Sequence, residues 1–170
     1  KRVLLIGEGK AFCAGGDVKS MFLWEELNLK KNFLFKEYTL NYAISKFSKS
    51  YLSIWDGIVM GGGVGLSIYG SIRIATEKSK FAMPETAIGF FPDVGGSYFL
   101  SRIPNNVGLY LGMTGQVINA KEMIAFGLAT HFQYSKNIET IKSNFIKSGL
   151  LPNSQIIKEE PLCHHLFTFD

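Results

Sequence analysis

The sequence predicts an α/β fold in which most strands run parallel. Short runs of apolar and β-branched residues alternate with segments of helical spacing, and this alternation favours parallel strands joined by helices. The apolar fraction of 46% and the charged fraction of 19% are typical of an ordered globular chain. A length of 170 residues suits one domain with a substantial core.

The individual elements follow from apolar spacing and from the residues that end each run. The predicted strands end at glycine or polar residues and cover 3–6, 51–59 (with a turn or bulge at Asp56-Gly57), 71–75 and 130–133. The predicted helices cover 18–47 (one or two helices), 66–69, 97–102, 106–113, 120–126 and 138–147. Asp17 and Asn119 are the expected N-caps, because their carboxylate and amide oxygens can accept from free helix N–H groups. The segments 81–84 and 89–92 are expected to be extended and loop, respectively.

Composition excludes several classes of function. The net charge of +4 is modest and suits an anionic small ligand, but the lysines form no basic block, so we expect no nucleic-acid partner. No apolar run reaches the roughly 18 residues of a membrane span, so we expect no membrane partner. Cys13 and Cys163 make no disulfide framework, which favours a reducing compartment. Cys163, His164 and His165 lack a further spaced ligand, so we expect no metal site.

The segment 7–17 is a candidate ligand loop. It lacks the third glycine of a dinucleotide-binding loop, since Phe12 stands there, and Lys10 is not followed by the Ser or Thr of a phosphate-binding loop. It is either a flexible turn or a loop whose bare amides approach a ligand. The small residues Cys13–Gly16 favour the second interpretation.

A second glycine run lies at 60–65, between a predicted strand and a predicted buried helix. Free N–H groups at such a helix start can hold a developing negative charge. Glu85 and Asp93 follow in an apolar stretch, where burial would raise a carboxyl pKa toward the range of acid–base catalysis. The alternatives are a capping role for Glu85 and a turn role for Asp93.

Other catalytic arrangements fit less well. Ser67 does not stand in a G-x-S-x-G motif, and His131 lies on a predicted strand, where a structural role is commoner. Glu37, on the predicted helix 18–47, reads from the residues alone as a solvated helix charge. The residues therefore indicate carboxylate chemistry, with two backbone N–H groups holding an oxyanion.

Three motifs carry a family resemblance: Lys10–Asp17, Met60–Ser67 and Phe81–Leu100. They resemble the crotonase (enoyl-CoA hydratase/isomerase) superfamily, and within it the 3-hydroxyisobutyryl-CoA hydrolase branch. The resemblance covers residues 1–135 as a partial core, leaving 136–170 as a divergent tail, and implies N- and C-terminal truncation. It also implies a spiral of ββα turns and an acyl-CoA substrate, whose CoA is part of the substrate so that no cofactor is needed.

The same resemblance assigns roles to residues. The amides of Gly16 and Gly62 would form the oxyanion hole. Hydratases carry one glutamate where this chain has Gly65 and a second at the position of Glu85, whereas Asp93 is an acid they lack. Glu85 would attack or activate water at the thioester carbonyl. Asp93 would bind the substrate hydroxyl or assist proton transfer.

The hydrolase branch also implies a substrate contact for Glu37, valine catabolism in the mitochondrial matrix, and a possible homo-oligomer in the full-length protein. The expected activity is hydrolysis of 3-hydroxyisobutyryl-CoA to 3-hydroxyisobutyrate and CoA. Two alternatives remain at this stage: an enoyl-CoA hydratase or isomerase, and a catalytically silent crotonase-like binding protein.

Overall fold

The computed structural model describes residues 1–149, and these form two four-stranded sheets with helices around them. The strands are β1 (Val3–Ile6), β2 (Ala11–Cys13), β3 (Tyr51–Trp55), β4 (Ile58–Met60), β5 (Ile72–Ala75), β6 (Lys80–Ala82), β7 (Ile118–Asn119) and β8 (His131–Phe132). The helices are α1 (Val18–Leu23), α2 (Leu27–Ser45), α3 (Gly62–Gly65), α4 (Gly96–Leu100), α5 (Val107–Thr114), α6 (Ala120–Ala125) and α7 (Ile138–Ser148). Two 3₁₀ turns cover Glu85–Ile88 and Ser135–Asn137.

Successive strands alternate between the two sheets. The first sheet has the order β1-β3-β5-β8 and the second β2-β4-β6-β7. All pairs in the first sheet are parallel, and in the second only the β6–β7 pair is antiparallel. The predicted α/β class with mainly parallel strands is therefore confirmed.

The sequence prediction of one strand over 51–59 is wrong in its connectivity. The Asp56-Gly57 turn separates β3 from β4, which belong to different sheets. Gly57 has φ +109°, and a Cβ on it would lie 2.3 Å from the Lys10 carbonyl oxygen. Only glycine fits so close a backbone approach, so the chain changes sheets there.

Three shorter elements also differ from the prediction. Strand β2 lies inside the segment expected to be loop, and the 3₁₀ turn Glu85–Ile88 covers residues for which the sequence predicted no element. Helix α3 is built from the glycines themselves, while residues 66–69 are turns. Both predicted caps are confirmed: Asp17 accepts from the Ser20 N–H, and Asn119 forms a capping box with Glu122.

Strand β3 is buried on both faces because its alternate side chains enter two different cores. Trp55 joins the larger core between the second sheet and helices α4–α6. Leu52 and Ile54 join a smaller core that also contains Ile141 and Phe145 of α7. The boundary predicted at residue 135 thus falls just before a helix that packs on the first sheet, and the separate tail stays a prediction.

No helix within residues 1–149 is long and apolar enough to cross a bilayer.

We expect helix α7 to contribute to the stability of the whole domain. Ile141 is fully buried, so Ile141→Ala should lower the free energy of unfolding by about 2–5 kcal/mol. Ile146 on the same helix is 65% exposed, and Ile146→Ala should change it by less than about 0.5 kcal/mol. Urea titrations of both variants test this, and equal effects would contradict the packing of α7.

Candidate active site

The candidate site is formed by three segments that leave neighbouring parallel strands at the same edge of the second sheet. Strand β4 pairs with β2 on one side and with β6 on the other. The segments that follow these three strands are 14–17, 61–65 and 83–88. Because parallel strands end at one edge, the three predicted motifs meet there.

The amides of Gly16 and Gly62 are neighbours in this arrangement. A Cβ on Gly62 would lie 3.5 Å from the Gly16 nitrogen, and a Cβ on Gly15 would lie 3.3 Å from the Gly62 nitrogen. No group within residues 1–149 accepts a hydrogen bond from either N–H. Two adjacent unpaired N–H groups have the form of an oxyanion hole. Their role on a substrate stays a prediction.

Glu85 begins the 3₁₀ turn and packs against the glycine run. Its side chain is buried, and Oε1 lies 2.9 Å from the place of a Cβ on Gly61, which has φ +53°. Its other oxygen, Oε2, is buried without a hydrogen-bond partner in the described part of the chain. A turn-capping role alone does not account for that free oxygen.

The surroundings of Glu85 favour its protonated form. Burial, with smaller contributions from the charges of Asp93 and Glu37, raises the pKa of Glu85 to about 7. A hydrogen bond from its own backbone N–H acts in the opposite direction. A carboxyl with this pKa is suited to accept and release a proton near neutral pH.

Asp93 is half-buried and is held by helix α2. The Tyr38 hydroxyl donates a hydrogen bond of 2.8 Å to Asp93 Oδ2. Burial, together with this hydrogen bond, raises the pKa of Tyr38 strongly, so the phenol stays a donor. The turn interpretation of Asp93 is correct in part, because the Gly96 N–H donates to its carbonyl oxygen over 2.6 Å.

Glu37 lies beside the glycine run and is not a fully solvated helix charge. It is half-buried, and its Oε1 lies 2.5 Å from the place of a Cβ on Gly62. Burial raises the pKa of Glu37, and the charge of Asp93 raises it further. Three carboxyls from α2, the 3₁₀ turn and the segment before α4 thus interact electrostatically. Within residues 1–149, no group of three or more His, Cys, Asp or Glu could hold a metal ion.

The position of Gly65 is closed to any larger side chain. A Cβ there would lie 2.6 Å from Val94 Cβ and 2.9 Å from Asn41 Nδ2. Val94 reaches this place with φ +43°, a strained conformation for a β-branched residue. A carboxylate at position 65 is therefore excluded by its neighbours as well as missing from the sequence.

Three residues near the site were not singled out from the sequence: Tyr38, Asn41 and Val94. Tyr38 and Asn41 follow Glu37 by one and four residues on α2, and Asn41 is buried. A polar residue one helical turn after a candidate carboxylate lies on the same helix face, and this spacing is a signal that could have found Asn41. Nothing in the sequence indicates the positive φ of Val94.

The other candidates have structural surroundings. Ser67 Oγ donates to the carbonyl oxygens of Gly63 and Val64, so it is bonded within its own turn. His131 contacts Thr130, and burial lowers its pKa, with the Arg73 charge acting in the same direction. The cluster Cys163-His164-His165 lies outside the described residues.

Comparison with known proteins decides the family. A family model described as enoyl-CoA hydratase/isomerase matches residues 1–159. The chain belongs to the enoyl-CoA hydratase/isomerase family. A carnitinyl-CoA dehydratase from Mycobacterium thermoresistibile is 42% identical with a TM-score of 0.84, over 87% of this chain and 44% of that one. The crotonase-like fold is therefore confirmed.

Two curated relatives of the chain have a more specific name than the family. A protein of Arabidopsis thaliana named 3-hydroxyisobutyryl-CoA hydrolase 1 is 49% identical over 86% of this chain and 40% of its own length. The mitochondrial 3-hydroxyisobutyryl-CoA hydrolase of Xenopus tropicalis is 48% identical over 81% of this chain and 36% of its own length. This chain thus spans about 40% of the length of the relatives it matches.

The packing at Gly65 predicts a specific loss of stability. Gly65→Ala should lower the free energy of unfolding by about 1–3 kcal/mol, because its Cβ would overlap Val94. In a Val94→Gly background, which removes the clashing carbons, we expect less than half of that cost. Urea titrations of the four proteins give the coupling. Equal costs in both backgrounds would contradict the contact.

The raised pKa of Glu85 predicts that its carboxyl destabilises the folded protein as the pH rises. The unfolded chain ionises this group from the ordinary value of 4.5, whereas the folded protein retains the proton to about pH 7. The resulting loss in the free energy of unfolding is absent below the pKa of the unfolded chain and complete above the pKa of the folded protein. Its size is on the order of 2 kcal/mol.

Glu85→Gln removes this titration and leaves the other groups in place. Urea titrations from about pH 4.5 to about pH 8 should show the stability of Glu85→Gln growing relative to wild type as the pH rises. A difference that stays constant with pH would mean that the Glu85 pKa is not raised.

Proposed function

We propose that the protein of which this chain is a part hydrolyses the thioester of 3-hydroxyisobutyryl-CoA, giving 3-hydroxyisobutyrate and free CoA. The observation that supports this proposal is which positions of the site carry an acidic residue. Position 65 has no room for a carboxylate, while Asp93 stands beside Glu85 and raises its pKa. Addition of water to a double bond by two glutamates requires one of them at position 65, and this chain has no acid there. The names of the curated relatives support the same substrate.

In the proposed reaction, the thioester carbonyl oxygen binds between the N–H groups of Gly16 and Gly62. The ionised Glu85 either attacks the carbonyl carbon itself or takes a proton from a water that attacks it. The two N–H groups hold the oxyanion that forms when the carbonyl π bond opens. Collapse of this intermediate breaks the C–S bond, and the CoA sulfur leaves as a thiolate that takes up a proton. Where Glu85 is the nucleophile, the product of this step is an anhydride of Glu85 and the acyl group, and water then hydrolyses it to 3-hydroxyisobutyrate and free Glu85.

Asp93 and Glu37 complete the proposed site. The Tyr38 hydroxyl already donates a hydrogen bond to Asp93 Oδ2. Oδ1 therefore remains to accept a hydrogen bond from the substrate hydroxyl or to assist proton transfer. Glu37 is a proposed substrate contact, because it lies next to Gly62 on the surface that the acyl group would meet. By analogy with relatives named mitochondrial, we place the reaction in the mitochondrial matrix, as part of valine catabolism. Homo-oligomerisation of the whole protein is part of the same proposal.

The test is release of free CoA thiol from 3-hydroxyisobutyryl-CoA. Glu85→Ala and Asp93→Ala should each reduce kcat by about 10²-fold or more, since each removes a group that acts on the reacting atoms. Glu139→Ala, at an exposed glutamate of α7 outside all the site segments, is the matched control and should have wild-type activity.

Two results would overturn this proposal. Hydration of crotonyl-CoA in place of CoA release would make the protein a hydratase. Binding of CoA without turnover of either compound would make it a catalytically silent binding protein.

A further inference from the structure

Asn41 is a buried amide that lacks hydrogen-bond partners. Its side chain is 5% exposed, and it is one of two buried residues on α2. Neither Oδ1 nor Nδ2 has a hydrogen-bond partner among residues 1–149. Leaving both polar atoms of a buried amide unpaired is unfavourable, so a buried group of this kind in a native protein requires an explanation.

The amide belongs to the same wall as the carboxylates. Asn41 follows Glu37 by four residues, so the two side chains lie on one face of α2, a turn apart. Asn41 Nδ2 lies 2.9 Å from the place of a Cβ on Gly65, and Val94 meets the same place from the other side. Asn41 thus lies against the position that carries a glutamate in the hydratases.

A cavity of about 420 Å³ opens beside Asn41. Its wall also contains Val94, next to Asp93 in the chain, and Tyr38, whose hydroxyl donates to Asp93. This volume is within the range of small-molecule sites. Both polar atoms of Asn41 are themselves covered, so a ligand in this cavity reaches the amide through a rotation of the Asn41 side chain.

Hydrogen-bonding capacity indicates what the amide binds. The ionised side chains of Glu37, Glu85 and Asp93 only accept hydrogen bonds. A hydroxyl on the acyl group needs an acceptor for its hydrogen and a donor for its oxygen. Asp93 Oδ1 can be the acceptor. Asn41 Nδ2, which approaches the Gly65 position together with Val94, is a donor without a partner among residues 1–149.

We infer that Asn41 is a specificity-determining residue, which selects acyl groups that carry a hydroxyl by donating a hydrogen bond to the hydroxyl oxygen. This inference rests on the proposed thioester hydrolysis and adds a hydrogen-bond donor, which the carboxylates lack when they are ionised.

The experiment compares Asn41→Leu, which keeps a similar volume, with Asn41→Ala and with the control Asn32→Leu at an exposed position of α2. For each protein, kcat/KM is measured on 3-hydroxyisobutyryl-CoA and on isobutyryl-CoA, which lacks the hydroxyl. The Kd is measured for ketone analogues of both, in which a methylene replaces the thioester sulfur.

We expect both Asn41 variants to lower the preference for the hydroxylated compound by about 3- to 10-fold, in kcat/KM and in Kd. Values for isobutyryl-CoA should stay near those of wild type, and Asn32→Leu should leave both unchanged. The Tm of Asn41→Leu should equal or exceed that of wild type, because an unpaired buried amide has been removed.

Equal losses on both compounds, or an unchanged preference, would overturn the role of Asn41. A lower Tm of Asn41→Leu together with equal losses would make it a structural residue. If wild type hydrolyses neither thioester but binds the analogues, the proposed hydrolysis fails while the ratio of Kd values still decides on Asn41. If wild type binds neither analogue, both proposals fail.

Discussion

Close approach of other groups to the bare backbone of Gly61–Gly65 is the constraint on which the site depends. Glu85 reaches Gly61, Glu37 reaches Gly62, and Val94 reaches Gly65, each to a distance that a Cβ would forbid. Helix α3 also meets the end of β2 closely, because a Cβ on Gly63 would lie 2.2 Å from the Cys13 carbonyl oxygen. The absence of side chains is therefore what brings carboxylates and amides within one small volume.

The electrostatics of the site follow from that packing. Groups that approach a backbone this closely lose water, and loss of water raises the pKa of Glu85 and of Glu37. The negative charge of Asp93 raises both pKa values further, and Asp93 itself accepts a hydrogen bond from the Tyr38 hydroxyl. The arrangement destabilises the ionised carboxylates of the folded protein, and such a cost is common where a proton must be exchanged near neutral pH.

Position 65 is closed to side chains by the packing of its neighbours. A glutamate there would need the space that Val94 and Asn41 occupy, and Val94 holds that space only by adopting φ +43°. The backbone strain at Val94 lies directly beside Asp93. The strained residue thus closes the space at position 65, while Asp93 is its neighbour in the chain.

By itself, the sequence determined the α/β class, the caps at Asp17 and Asn119, and the segments that carry Gly16, Gly62, Glu85 and Asp93. These depend on local patterns: apolar spacing, small-residue runs and the hydrogen-bonding habits of short polar side chains. Only the tertiary structure separated β3 from β4, placed Glu37 against Gly62, and brought Tyr38 to Asp93 and Asn41 to Gly65. These are contacts between distant parts of the chain, and local spacing carries no information about which faces meet. Burial, and with it the raised pKa of Glu85 and the unpaired amide of Asn41, is likewise decided only when those faces pack.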